Sequence, residues 1–326
     1  MNIAGKIQET QDLLSTHSEW KDRYKVYAEN LIANIDVIKS NRNRFNEFPP
    51  LYFYISTTNA KNAKAKLLLD IRYRGQSVAT LKVNQNDITI STKKQVDKNL
   101  RDFNCDIKLN DISWREKQVR EFRKFFKDRD YSRNDNDKNK NNEEHNVESL
   151  LLSEFSKKKS NSKQIKGIQP IKICGIRFGM PTPIGASDHK KLIYAKQYGG
   201  GIDIFARTKK GRTTYLTVIE VKDKYDPKEP PKDALIQAIQ YAVFIRELLR
   251  SDCGENWYKI FGFSGAIPKK LKLRAVCAMP LPDNPDDNAD KSFEKQTYQI
   301  GCDEIECHYI YFKYNGEQLS DFQTSL

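Results

Sequence analysis

The sequence predicts an α/β (α+β) protein in which a mixed central sheet flanked by helices follows a helical segment and an antiparallel, β-rich N-terminal domain. Apolar residues between positions 1 and about 45 recur at steps of three and four, which is typical of helices. From Leu51 onwards, short segments rich in β-branched and aromatic residues predict strands instead. After a polar stretch at 128–146, strand-like and helix-like segments alternate, which indicates a domain with a mixed sheet.

The N-terminal domain is predicted to contain a β-meander closed by a helix. Its strand-like segments are LYFYIS, KLLLDIRYR, SVATLKV and DITIST. A helix at about 114–127 follows them and carries an apolar stripe. The strands also carry basic residues, with Tyr73 between two of them, that fit either a nucleic-acid-binding face or an outward polar face: Arg72, Arg74 and Lys82.

The polar stretch at 128–146 is the clearest boundary in the chain. It contains one aromatic residue and no aliphatic residue, so it cannot bury enough apolar area to offset the entropy of ordering it. We therefore predict a flexible linker or long surface loop between an N-terminal domain at 1–127 and a C-terminal domain at 147–326. From its position alone, we expect the N-terminal domain to act in recognition or regulation.

The C-terminal domain is predicted to open with a short amphipathic helix at 147–155. A long helix at about 232–250 is introduced by Pro230-Pro231 and presents one broad apolar face. The predicted strands are 170–178, 199–208, 213–222, 271–279 and the C-terminal segments QTYQI and CHYIYFKY.

Composition limits the classes of function. The net charge of +13 is shared almost evenly between the two halves of the chain. Residues 1–150 carry 28 basic and 22 acidic residues, a net +6, and residues 151–326 carry the other +7. This spread excludes a disordered basic arm and favours a basic folded surface with a polyanionic partner. No run of about 18 apolar residues and no apolar N-terminal core of a signal peptide occur, and the six cysteines are scattered, so we expect a cytoplasmic protein with free thiols and no membrane association. A Walker P-loop is absent, and no nucleotide cofactor is evident.

Three ionisable residues within twenty positions suggest a chemical site. Glu220 and Lys222 lie at the end of an apolar strand, and residues two apart in a strand point to the same face. Asp203, on the preceding strand of the hairpin, is expected to converge on the same place. Buried charges are costly unless they are paired or bind a metal. Two carboxylates suit Mg²⁺, and a neighbouring lysine suits metal-assisted phosphodiester hydrolysis, with Mn²⁺ expected to substitute.

This series resembles the PD-(D/E)XK nuclease superfamily, which has the restriction-endonuclease-like fold. The matching positions are Asp203 and then Glu220-Val221-Lys222, followed on the next helix by Gln237 and Tyr241, which are similar to the QxxxY element of RecB-like members. The resemblance covers about residues 147–280. Ile202 stands where the proline that gives the family its name would be.

The resemblance implies specific roles. Asp203, Glu220 and the Val221 carbonyl would hold one or two Mg²⁺ ions, and Lys222 would position the attacking water. Glu154, on the predicted helix upstream, would complete the metal shell, with Glu148 as the weaker candidate. Gln237 and Tyr241 would position Lys222 or the substrate backbone.

Plainer interpretations stay open for each of these residues. Glu220 and Lys222 fit a solvated ion pair on an exposed strand, and Asp203 fits a cap of the turn after the glycines at 199–201. The acid at Glu154 fits the polar face of a short helix, and Gln237 and Tyr241 fit ordinary helix positions. The basic residues near the site strands fit either a nucleic-acid-binding surface or solvated charges: Lys190, Lys191, Lys209, Lys210 and Arg212.

These observations together predict a metal-dependent endonuclease acting on double-stranded DNA, with bacterial restriction or phage defence as the expected setting. We expect a homodimer, because one such site cuts one strand. Two alternatives remain: a catalytically silent nucleic-acid-binding or assembly protein on the same fold, and a structure-specific or RNA-directed nuclease.

Overall fold

The computed structural model describes residues 2–41, 43–55, 57, 67–84, 87–93, 105–128, 141–156, 165, 167–186, 191–196, 200–224, 230–281 and 293–326. The chain forms two compact units. The first unit comprises Met1–Ala28, Leu150–Ile171 and Gly179–Leu326, and the second comprises Glu29–Ser149 and Lys172–Phe178. This grouping differs from the predicted division at 127 and 147. Among the described helices, none combines the length and the apolar character that a membrane span requires.

Six helices are described: α1 (Ile3–Thr16), α2 (Trp20–Asn41), α3 (Lys117–Asp128), α4 (Asn141–Ser156), α5 (Pro231–Leu249) and α6 (Gly254–Ile260). The strands up to Phe178 are β1 (Leu51–Ile55), β2 (Leu67–Tyr73), β3 (Gln76–Val83), β4 (Ile88–Thr92), β5 (Ile112–Ser113), β6 (Ile168–Pro170), β7 (Lys172–Ile173) and β8 (Ile176–Phe178). The later strands are β9 (Met180–Thr182), β10 (Ile184–Gly185), β11 (Ile193–Tyr194), β12 (Gly200–Ile202), β13 (Ile204–Lys210), β14 (Thr213–Val221), β15 (Lys272–Pro280), β16 (Thr297–Ile300), β17 (Asp303–Tyr314) and β18 (Leu319–Thr324).

The first unit is built on a seven-stranded mixed sheet in the order β16-β17-β15-β14-β13-β6, with β18 paired to β17. Strands β14, β15 and β17 run parallel to one another, whereas β13 forms an antiparallel hairpin with β14. Two short pairs, β9–β12 and β10–β11, lie outside this sheet. Helix α5 packs against β14, β15 and α1. The predicted class, a mixed sheet flanked by helices, is therefore confirmed at the level of the class.

Helix α5 is the central element of the first unit. Pro230 caps it and Pro231 occupies its first turn, where a missing N–H costs nothing. Every residue from Ala234 to Ile245 is buried. The sequence predicted one broad apolar face, but the helix is buried on all sides. It therefore lies inside the unit and not on its surface.

The N-terminal residues belong to the first unit because aromatic side chains tie them to it. The Tyr24 hydroxyl donates a hydrogen bond to the Pro181 carbonyl at 2.7 Å, and the Trp257 indole N–H donates to the Tyr24 carbonyl at 3.1 Å. Trp20 packs edge-on against Phe244 of α5, with ring centroids 5.6 Å apart. Such long-range contacts leave no local signature in the sequence, so the predicted boundary did not anticipate them.

The second unit contains the predicted β-meander, since β1 to β5 pair in chain order and antiparallel. Its apolar face meets α3, where Phe126 packs against Tyr73 with ring centroids 4.9 Å apart. Tyr73 is therefore buried on the core face. On the other face, Arg72 pairs with Asp70 at 2.8 Å and Lys82 with Asp111 at 2.7 Å.

Residues 170–178 differ from the prediction, which placed one strand there in the C-terminal domain. They form the tight hairpin β7–β8 around Cys174 and Gly175, both with positive φ (50° and 80°). Strand β8 joins the sheet of the second unit in parallel with β1, with Arg177 opposite Tyr54. The positive φ values explain why a continuous strand cannot form across these residues.

The predicted linker is partly helical. Helix α4 begins at Asn141, six residues before the predicted start at Val147, and Glu143 and Glu144 occupy its first turn. Acidic side chains favour that position because they interact with the positive end of the helix dipole. Residues 129–140 of the predicted linker lie outside the described residues. None of the six cysteines forms a disulfide, as expected from their spacing.

Asp303 joins the C-terminal end of α5 to the sheet. Its side chain is 1% exposed and accepts hydrogen bonds from Arg246 Nε at 2.9 Å, from Arg250 Nε at 3.0 Å and from the backbone N–H of Leu271 at 2.8 Å. Burial opposes ionisation of this carboxyl, but the hydrogen bonds from Arg250, Leu271 and Arg246 outweigh it and hold the pKa of Asp303 below its ordinary value of 3.8.

Asp303→Asn should lower the free energy of unfolding by about 3 kcal/mol at neutral pH, because it leaves two arginines without their buried anion. Since the folded pKa is lowered, the wild-type contribution is complete above the ordinary pKa of 3.8 and is lost as the pH falls through the folded value. Urea unfolding at pH 7 and between pH 5 and pH 2.5 measures both effects. Asp321→Asn, which removes an exposed partner of Lys313, is the control and should leave the midpoint unchanged. Equal midpoints for the two variants would contradict the assignment.

Candidate functional site

Asp203 sits at a break between strands. It separates β12 from β13, and its side chain is half-buried. Its carboxylate oxygen Oδ2 accepts a hydrogen bond from the backbone N–H of Val221, at 2.8 Å, on the neighbouring strand. This contact directs the Asp203 carboxylate towards the C-terminal end of β14, as the hairpin spacing predicted.

Glu220 lies on β14 directly beside that contact and is 2% exposed. Strand alternation points its side chain away from that of Val221. The parallel neighbour β15 places Cys277 opposite it. A carboxylate this deeply buried is costly without compensating charge or hydrogen bonds. The interpretation of Glu220 as part of an exposed ion pair is therefore wrong.

Lys222 continues the strand register beyond β14. Its backbone N–H donates to the Ala278 carbonyl of β15 at 2.9 Å, so the alternation of β14 extends to this residue. Positions 220 and 222 therefore share one face of the sheet. The Lys222 side chain is half-buried, unlike the fully exposed lysines elsewhere on this hairpin.

Helix α5 supplies two polar residues to the same region. Gln237 and Tyr241 are buried one turn apart, and the Gln237 amide lies 3.5 Å from the Tyr241 hydroxyl. Burial and the nearby charge of Glu220 raise the pKa of Tyr241 to about 12, and the charge of Asp203 acts in the same direction. The Tyr241 hydroxyl thus lies within the field of both carboxylates and keeps its proton at neutral pH.

Gly200 allows Tyr241 to occupy this position. A Cβ atom on Gly200 would lie 2.8 Å from the Tyr241 hydroxyl oxygen, and 3.4 Å from both the Ile184 carbonyl and Thr182 Oγ1. The hydroxyl also bonds to the backbone of Ala186. Gly200 is therefore needed for the close approach of β12 to α5.

The two carboxylates meet at one place. One carboxylate oxygen of Asp203 lies within 4.8 Å of one carboxylate oxygen of Glu220. The predicted ligand Glu154, on α4, is not among the acidic residues that group with them in the described part of the chain. The predicted weaker candidate Glu148 instead lies near Tyr54 and Arg72.

The donor set suits a hard divalent cation. Two carboxylates this close repel each other, and one of them is almost fully buried, so a cation would lower the energy of the pair. Oxygen ligands of this kind favour Mg²⁺, Ca²⁺ or Mn²⁺ over softer metals. The Val221 carbonyl, predicted as a further ligand, lies between two residues of the site, while its N–H is occupied by Asp203.

Three of the predicted nucleic-acid-binding residues lie at the other end of a site strand from the carboxylates. Lys209, Lys210 and Arg212 are exposed at the far end of the β13–β14 hairpin, about 20 Å from Asp203 at the rise of a strand. That they bind nucleic acid stays a prediction. Lys191 is exposed just before β11, and Lys190 lies outside the described residues.

Comparisons with known proteins do not add to this description: no protein-family model, no curated protein and no solved structure matches the chain. The site therefore has to be interpreted from its own geometry.

Gly200→Ala should lower the free energy of unfolding by about 1–3 kcal/mol, because the new methyl group would displace the Tyr241 hydroxyl. Tyr241→Phe removes the atom that the methyl group meets, so the cost of Gly200→Ala should fall by about 1 kcal/mol in that background. Denaturant unfolding of the two single variants and the double variant measures this coupling. Gly179→Ala is the control, since a Cβ there has nothing within 4 Å. An unchanged cost in the Tyr241→Phe background would show that Gly200 does not act through Tyr241.

Proposed function

We propose that the protein is a metal-dependent nuclease that hydrolyses phosphodiester bonds in DNA. The observation that carries this proposal is the approach of the Asp203 and Glu220 carboxylates to within 4.8 Å of each other, with a half-buried lysine at position 222 on the same face as Glu220. The resemblance of this series to PD-(D/E)XK nucleases supports the same conclusion, and so does the net charge of +13, which suits a polyanionic substrate.

Each residue of the group has a distinct task in this proposal. Asp203 and Glu220 would hold Mg²⁺, which, when bound, polarises a phosphate oxygen and lowers the pKa of a water molecule. Lys222 shares the face of Glu220 and offers a positive charge that orients the attacking water and offsets negative charge as it develops.

Tyr241 acts as a hydrogen-bond donor in this proposal and not as a base. With its pKa raised to about 12 by burial and by the charge of Glu220, the hydroxyl keeps its proton throughout the physiological range. It can therefore donate to a carboxylate or to a phosphate oxygen. Gln237, within 3.5 Å, fixes the direction of that hydroxyl.

Divalent-cation binding tests the carboxylate group without any substrate. Wild type should bind Mn²⁺ in a calorimetric titration and gain thermal stability with Mg²⁺, because the cation relieves repulsion in the folded state. Glu220→Gln should weaken binding at least about tenfold, because it removes one of the two carboxylate ligands, whereas Glu154→Gln should not change it. In EDTA, Glu220→Gln should be at least as stable as wild type, since it removes one of two repelling charges. A less stable Glu220→Gln variant that still binds Mn²⁺ normally would assign Glu220 a structural role only.

Cleavage is tested with supercoiled plasmid, linear duplex, single-stranded DNA and RNA in the presence of Mg²⁺. Wild type should cut DNA, and Asp203→Asn and Lys222→Ala should each lower the rate by about 100-fold or more, because each removes a group that acts on the reacting phosphate. Glu154→Gln is the matched control and should retain the wild-type rate.

Two results would reject the proposal. Retention of cleavage by both Asp203→Asn and Lys222→Ala would place the chemistry elsewhere. The absence of any cleavage by wild type would favour a nucleic-acid-binding or assembly protein on the same fold.

A further inference from the structure

A second charged surface lies at the opposite end of the first unit's sheet from the carboxylates. It consists of six lysines and arginines, here named the basic sheet end: Lys209, Lys210, Arg212, Lys269, Lys270 and Lys272. The first three form the turn of the β13–β14 hairpin, and the other three precede and begin β15. Because β14 and β15 are parallel, both groups lie at the N-terminal ends of these strands, whereas Glu220 is near the C-terminal end of β14.

The basic sheet end is continuous across the strands. Lys210 Nζ lies 3.8 Å from Glu306 Oε1 on β17, although Lys210 itself is on β13. Lys270 and Lys272 both contact Glu304, at 2.6 Å and 3.1 Å. The lysines of the hairpin and those of β15 therefore meet over the same strand, β17.

The acids at this end do not balance the cations. The side chains of Glu304 and Glu306 are only 14% and 15% exposed, and each carboxylate is shared by two or more basic residues. Within the described part of the chain, Lys209, Arg212 and Lys269 have no ion-pair partner for their side chains. Exposed ion pairs of lysine are weak, so a phosphate can replace the carboxylate of Glu304 or Glu306.

A buried arginine adds positive charge beneath this surface. Arg274 is 1% exposed and lies over the Tyr215 ring at 3.9 Å. Its Nε donates to Glu306 and its Nη1 to Thr208, each at 2.9 Å. Among the described residues, its Nη2 has no hydrogen-bond partner. The guanidinium holds Glu306 in place, so this carboxylate is already neutralised from below.

We propose that the basic sheet end binds the phosphate backbone of duplex DNA. The surface carries excess exposed positive charge, and none of the exposed large hydrophobic side chains among the described residues belongs to it, which fits a regular polyanion. It lies about 20 Å from Asp203, which corresponds to about six base pairs of B-form DNA. A duplex of ordinary length can therefore reach both places. The identity of the polyanion rests on the proposed function, but binding can be measured without cleavage.

The test is equilibrium binding of a fluorescein-labelled 30-base-pair duplex in EDTA, followed by fluorescence anisotropy at several salt concentrations. The surface variant combines Lys209→Gln, Arg212→Gln and Lys269→Gln, three exposed residues without ion-pair partners in the described chain. The charge-matched control combines Lys21→Gln, Lys25→Gln and Lys259→Gln, which are exposed elsewhere on the first unit. Circular dichroism and thermal melting confirm that both variants fold.

The surface variant should bind about tenfold more weakly at 0.1 M salt. The slope of its plot of log affinity against log salt should be smaller in magnitude by about two to three. Each lost phosphate contact reduces the magnitude of this slope by about 0.9. The control should stay within about twofold of wild type, with the same slope. Equal binding by the surface variant and the control would overturn the inference, and so would failure of wild type to bind the duplex.

These outcomes separate the inference from the proposed function. If wild type binds the duplex, the surface variant does not, and wild type shows no cleavage in Mg²⁺, the nuclease proposal is rejected. The proposal that the basic sheet end binds DNA then still stands. Cleavage by wild type, with equal binding by the surface variant and the control, would reject only the surface.

Discussion

One hydrogen bond fixes the arrangement of the acidic site. The backbone N–H of Val221 donates to the carboxylate of Asp203, and Val221 is the residue next to Glu220. The two acids are thereby held together although 17 positions separate them in the sequence. The strand must break at Asp203 for this contact to form, which explains why β12 and β13 are separate strands with different partners. A negative charge held beside a buried carboxylate is unfavourable for folding unless positive charge or hydrogen bonds compensate it.

Helix α5 makes this site possible because it is buried on every side. Because the helix is surrounded by the unit, its polar side chains also point into the interior. Those of Gln237 and Tyr241 lie close to the carboxylates. Gly200 leaves room for the tyrosine hydroxyl. At the other end of the helix, the arginines that bind Asp303 anchor α5 to β15 and β17. The position of Tyr241 therefore depends on packing along the whole length of α5.

The sequence predicted the parts of the site that follow local periodicity. A period of two along β14 placed Glu220 and Lys222 on one face, and a separation of four along α5 placed Gln237 beside Tyr241. It did not predict features that depend on distant contacts. Residues 1–28 join the first unit through aromatic contacts with no local pattern. Residues 172–178 pair with a strand more than a hundred positions earlier.

The distribution of charge in the first unit follows from the direction of its parallel strands. The acids of the site are near the C-terminal end of β14, and the basic sheet end is formed by the β13–β14 turn and the start of β15. An acidic group repels a phosphate backbone, so cations close to it would be neutralised by the acids themselves. Cations about 20 Å away, beyond a Debye length of about 8 Å at physiological salt, keep their attraction for the backbone. Under the proposed function, separation of the two charges along the strands would let one sheet bind the polyanion at one end and the cation at the other.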